Sequence, residues 1–158
     1  MNFAHACMMR FFGLFALLAC VSSGSVCRAQ LDIILDTATV SFGTLDKSDI
    51  DAGFMELTAA APTYALRVAV TDTAPQNWTL STKVSSSYFT AAFGAKPCGD
   101  LQWRLNGGSS YTPYTIFDAP AATGNGNAMI DFDFKMLTSW SDEPDTYNIT
   151  VVYTISGP

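Results

Sequence analysis

The chain has 158 residues, of which 14 are acidic, 8 basic and one is histidine. That length holds a single domain of ordinary size, and the acidic balance disfavours nucleic acid and anionic lipid as partners. The one histidine, His5, lies near the start of the chain. Serine–histidine, cysteine–histidine and histidine–metal sites are therefore excluded from everything downstream.

The chain opens on a targeting pattern. Arg10 precedes the apolar run Phe11 to Val21, too short to span a bilayer as a mature helix, and a small polar stretch leads to Cys27-Arg28-Ala29. Small residues three and one before the cut suit a signal peptidase, so cleavage is expected after Ala29. Leu17-Leu18-Ala19-Cys20 resembles a lipobox, and lipoprotein processing at Cys20 is the rival expectation. Cleavage after Ala29 leaves residues 30–158 as one domain, without a transmembrane segment. Loss of Arg10 and Arg28 lowers Lys+Arg from 8 to 6 against 14 acidic residues, a net charge of −8. Of the 4 cysteines, Cys98 alone then remains, and it is read as a buried small apolar residue.

Beyond the leader the pattern is of short alternating runs separated by Gly, Pro, Asn, Asp and Ser. The first is Leu31 to Phe42. A polar link, Asp46 to Gly53, leads to Phe54–Leu57 and a small-residue connection through Pro62. Tyr64 to Leu80 reads as a hairpin: Tyr64, Leu66, Val68 and Val70 alternate with Ala65, Arg67 and Ala69, and Trp78 and Leu80 resume after Asp72, Pro75 and Asn77. Leu101, Trp103 and Leu105 form the next strand. Tyr111 to Phe117 is a candidate edge strand because of Pro113, and Pro120 to Asn127 reads as a loop. Ile130, Phe132, Phe134 and Met136 oppose Asp131, Asp133 and Lys135, one face buried and one wet. Thr146 to Ile155 closes the domain. About eight strands at this spacing predict an all-β fold, a single antiparallel β-sandwich of immunoglobulin-like or jelly-roll-like type.

Few residues offer chemistry. Asp131 and Asp133 lie about 7 Å apart along one strand face, a separation open to a carboxylate pair, but Lys135 continues that face as ordinary wet surface. Asp46, Asp49 and Asp51 place oxygen donors in one loop and are a weak calcium candidate; the spacing is not that of an EF-hand. Trp78 and Trp103 share faces with apolar neighbours and are expected to be buried, whereas Trp140, Tyr111 and Tyr114 are the candidates for ligand contact. Asn77-Trp78-Thr79 and Asn148-Ile149-Thr150 are sequons of use only in a eukaryotic host. No catalytic residue, cofactor or firm metal site is expected.

Val70 to Leu80, V-T-D-T-A-P-Q-N-W-T-L, resembles the motif region of the WxL domains of bacterial surface proteins, and Val40 to Gly43, V-S-F-G, is similar as well. The resemblance implies a secreted β-sandwich held non-covalently at the cell envelope, with Trp78 and Leu80 as the first motif. Tyr153 and Ile155 stand in place of the second, as Y-T-I. An opening alternating strand and a closing strand with tyrosine also resemble chaperone-usher pilins, including the spore coat U type. That likeness implies that Leu31 to Phe42 is donated to a neighbouring subunit. The expected partners are an envelope polymer, other surface proteins or further copies of the chain. The expected role is attachment, adhesion or surface assembly, with fimbrial subunit and carbohydrate-binding module as alternatives.

Overall fold

The computed structural model of the chain describes residues 30–57, 64–143 and 145–158; the leader, its cleavage site and the Pro62 connection lie outside them. Nine strands are formed among the described residues. They are β1 (Leu31–Leu35), β2 (Phe54–Leu57), β3 (Leu66–Asp72), β4 (Asn77–Val84), β5 (Leu101–Leu105), β6 (Thr112–Pro113), β7 (Ala119–Asn125), β8 (Ala128–Leu137) and β9 (Val151–Ser156). Among the described residues the helical pieces are a short helix, α1 (Lys47–Ala52), and a 3₁₀ turn at Cys98–Asp100. One sheet runs β1-β3-β8-β5-β6, with β2 also on β8; the other runs β7-β4-β9. Every pairing is antiparallel, so the fold is the expected β-sandwich.

Alternation in the sequence decides which side chains fill it. Leu66, Val68 and Val70 of β3 face Trp78, Leu80 and Val84 of β4 across the interior, with Ile130, Phe132 and Phe134 of β8 beside them. Trp103 and Phe132 pack tilted at 5.8 Å, and Phe132 and Tyr153 at 5.3 Å, which ties both sheets through aromatic contacts.

Four expectations are corrected. Tyr64 to Leu80 is not a hairpin, because β3 and β4 belong to different sheets. Asp72 makes that corner: its carboxylate accepts from the Ala74 and Gln76 N–H groups at 3.0 and 2.8 Å, turning the chain from one layer to the other. Pro120 to Asn127 is largely strand rather than loop, since β7 lies along β4 with a register shift at Leu80/Ser81 beside Pro120. The first strand ends at Leu35 and not at Phe42. The Asp46–Gly53 link is a helix. Asp46 caps it by accepting from Asp49 N while Asp49 reaches back to Asp46 N, and Gly53 ends it at φ 78°.

Candidate functional site

The phase of the β-ladders shows which backbone groups are spent. Ser85 N donates to Thr150 O at 2.9 Å, so Thr150, Val152 and Thr154 direct their N–H and C=O groups toward β4. Val84 N, opposite Val151, turns the other way and bonds Thr115 O. The N–H and C=O groups of Val151, Tyr153 and Ile155 therefore face away from β4, and among the described residues no backbone group meets them. Their side chains point inward, packed on the core.

The same arithmetic applies to β1. Asp36 N donates to Arg67 O and Thr73 N to Gln30 O, which leaves the backbone groups of Leu31, Ile33 and Leu35 facing outward from β3. Leu31 and Ile33 also pack inward, and Leu31 lies against Gly157 just past the end of β9. One flank of the sandwich is thus a seam between two open strand edges, β1 and β9, each with apolar side chains beneath it. The chain that follows β1 passes without ladder bonds: Val40 and Phe42 pack on the core, yet residues 37–45 make no backbone hydrogen bond to β9.

The residues singled out in the sequence are dispersed. Trp78 and Leu80 are buried in the core, as is Trp103, and Tyr153 and Ile155 pack on it from β9. The WxL-like positions thus serve packing and leave no side chain free to grip an envelope polymer. Tyr114, expected at the surface, is 1% exposed. It is drawn in because Tyr114 N bonds Leu101 O and its ring packs on Trp103 and Phe134. Tyr111 is half-buried with its ring 4.4 Å from the Arg104 guanidinium. Trp140 is exposed, as expected, with Lys47 over its ring. Cys98 is buried, its thiol 3.6 Å from Tyr114 O.

The carboxylates are engaged. Arg67 donates from Nε and Nη2 to both oxygens of Asp131, at 2.7 and 2.8 Å. Asp133 is 1% exposed rather than wet, because Arg104 Nε and Asn106 Nδ2 donate to it from above, at 3.0 and 3.1 Å. Asp46 and Asp49 cap α1, and Asp51 pairs with Lys47. Hydrogen bonds from the Ser48 hydroxyl and the Asp49 N–H hold Asp46 below the usual carboxylate range. No described group of three or more His, Cys, Asp or Glu is arranged to hold a metal ion. Burial alone would lower the Lys96 pKa, but its bonds to Asp142 and Asp100 outweigh that and raise it.

Sequence reasoning missed the hydroxyl pair beneath the β9 edge. Tyr114 Oη and Tyr153 Oη lie 3.3 Å apart, and Thr82 stands opposite Tyr153 in the ladder. Burial pushes Tyr114 up to about 12 from its ordinary 10.0, and raises Tyr153 as well. Raised folded values mean that this stability is fully present below pH 10.0 and is lost as pH climbs through about 12. Tyrosinate absorbance and the loss of β-sheet dichroism should consequently rise together in that window. The part of the tyrosinate signal that Tyr114→Phe and Tyr153→Phe remove is the one to follow; if that part appears while the sheet dichroism is intact, the burial account is wrong.

No family model matches the chain, and no curated protein matches it. A solved chain from a chaperone-usher pilus, in a study of how such a rod uncoils, superposes on 98% of this chain and all of its own at a TM-score of 0.48 and 11% identity. A likeness of that size carries no argument about family or function.

Proposed function

We propose that the chain is an exported, non-catalytic structural subunit that assembles with copies of itself by β-strand donation. The observation that carries this is the seam, where two open edges with inward-facing apolar side chains lie side by side. Leu31 to Phe42 of a second copy is the donor: Leu31 and Ile33 share one face, Val40 and Phe42 fall in the opposite phase, and one register shift between them lets both pairs face inward. In a donor subunit the place vacated on β3 is refilled by the next copy's β1, an exchange of identical contacts that makes swapping cheap. The continuation through Val40 and Phe42, which lacks ladder bonds within one chain, then straightens along β9. Export is supported by the leader pattern. A non-catalytic role is supported by the absence of histidine after His5 and by the arginine bonds that occupy Asp131 and Asp133.

Amide exchange tests this directly. In the isolated subunit the Val151, Tyr153 and Ile155 amides should exchange fast while Val152 and Thr154 are protected. In the assembled state all five should be protected. If the first three remain fast in material that has plainly polymerised, strand donation at this edge is wrong.

A further inference from the structure

β1 has a ladder on one side only, and a side chain closes that ladder at each end. At the C-terminal end Asp36 N donates to Arg67 O at 3.1 Å. A regular antiparallel pair would return the bond from Arg67 N to the Asp36 carbonyl. Here Arg67 N donates instead to Asp36 Oδ1, at 3.0 Å. The N-terminal end mirrors this. Thr73 N donates to Gln30 O at 3.2 Å, and Gln30 N donates to Thr73 Oγ1 at 3.0 Å in place of the Thr73 carbonyl. Cleavage after Ala29 would make that nitrogen the amino terminus, which still donates.

The two clasps join a lightly held strand to a fixed one. Ile34 and Leu35 of β1 are exposed, and Leu31 and Ile33 are only partly buried. On the fixed side, Arg67 is tied to β8 through both oxygens of Asp131, and its guanidinium lies 4.2 Å from the Tyr64 ring. Thr73 follows the Asp72 corner, where Asp72 N donates to Asn127 Oδ1 at 2.7 Å. When a clasp opens, β1 is therefore the part that moves. Past Asp36 the inward-facing phase also changes, from Leu31 and Ile33 to Val40 and Phe42. A strand that steps from one packed sheet to the other bends or bulges at such a point.

We infer that Asp36 and Thr73 are clasps that gate strand exchange between copies, holding β1 on β3 until both ends release. The inference rests on the strand-donation reading and adds what controls its rate. A copy that receives β1 from its neighbour remakes the same two clasps, because the donor brings Gln30 and Asp36 while the acceptor supplies Arg67 and Thr73. The clasps thus leave the final extent of assembly unchanged and set how fast a strand can leave. Asp32 serves as the control. It lies on the same strand, but its carboxylate bonds the adjacent Ile33 N and not β3.

The test uses the processed chain in two states. In the isolated subunit, Asp36→Ala should speed exchange of the Ile34 and Ala69 amides about threefold, the effect of losing one exposed hydrogen bond. Asp36→Asn keeps the Oδ1 acceptor and should restore the wild-type rate, although it too removes the charge. Thr73→Val should act like Asp36→Ala, and Thr73→Ser like the wild type. Asp36→Ala/Thr73→Val should reach about tenfold, since the clasps sit at opposite ends of the strand and act independently. In filaments prepared with two fluorophores, copies should mix faster by the same factors while the amount of filament at equilibrium stays the same. Amide exchange that ignores Asp36→Ala, or that rises equally in Asp36→Asn or Asp32→Ala, would overturn the clasps. Faster amide exchange without faster mixing would overturn the gate and leave strand donation standing. Unprotected Val151, Tyr153 and Ile155 amides in wild-type filaments would instead strike the donation reading itself.

Discussion

Arg104→Met is expected to lower stability by about 3 kcal/mol, because it strands a carboxylate that the fold has sealed from water. Asp133 is 1% exposed, and its partners are Arg104 Nε at 3.0 Å and Asn106 Nδ2 at 3.1 Å. Without the guanidinium, one neutral amide must stabilise a buried charge. The Tyr111 ring also loses the nearer of its two cations, the guanidinium at 4.4 Å, and keeps Lys135 Nζ at 5.3 Å. In a domain of this size the loss should read as a melting temperature lower by roughly 10 °C. Combining Arg104→Met with Asp133→Leu should restore most of it, since the desolvation penalty leaves with the carboxylate. A contrast sits on the other sheet, where Lys83 pairs with Asp118 at 2.9 Å on a half-exposed surface. Lys83→Met should cost less than about 1 kcal/mol, because water already screens that pair. Equal effects from the two substitutions would mean that the burial of Asp133 carries no energetic weight.

Much of the sandwich was legible because alternation is a property of single strands. Ile130, Phe132 and Phe134 against Asp131 and Asp133 gave β8, and β3 and β4 were visible from the same signal. What alternation does not encode is which strand lies beside which. β3 and β4 looked like a hairpin because a short turn joins them, yet the side chains on both bury into one shared interior. That is satisfied by placing them in opposite layers as well as by pairing them. β7 was hidden for a different reason. Ala119-Pro120-Ala121-Ala122-Thr123-Gly124-Asn125 has the composition of a loop, and it becomes strand because small residues fit against the Trp78 indole. The seam was not legible at all, since an open edge is defined by the ladder bonds it lacks. Only the register of β9 on β4 shows that Val151, Tyr153 and Ile155 are the residues left facing out. Tyr114 shows the converse error: a tyrosine beside Gly107-Gly108 suggests a surface loop, but the bond to Leu101 O carries it into the core.

Gly124→Ala carries the second large effect, and it separates two accounts of Trp78. A Cβ at position 124 would stand 2.4 Å from Trp78 Cζ2 and 2.7 Å from Cη2, inside van der Waals contact. Backbone conformation is not the obstacle, because Gly124 is not among the positive-φ glycines; the space is. Nor can the ring swing aside cheaply. Its Nε1 donates to Gly126 O at 2.7 Å, and the side chain is 4% exposed between the sheets. Overpacking of this kind should cost about 2–3 kcal/mol. Trp78→Phe removes the benzo edge that the new methyl would strike, so Trp78→Phe/Gly124→Ala should be more stable than the sum of the two single losses by at least about 1 kcal/mol. A surface-motif tryptophan, the role that V-T-D-T-A-P-Q-N-W-T-L first suggests for it, would show additive and small effects with no loss of sheet structure. Non-additivity in thermal or denaturant unfolding would instead fix Trp78 as the clamp that turns a loop-like sequence into β7. With it comes the β7-β4-β9 sheet whose far strand presents the open edge.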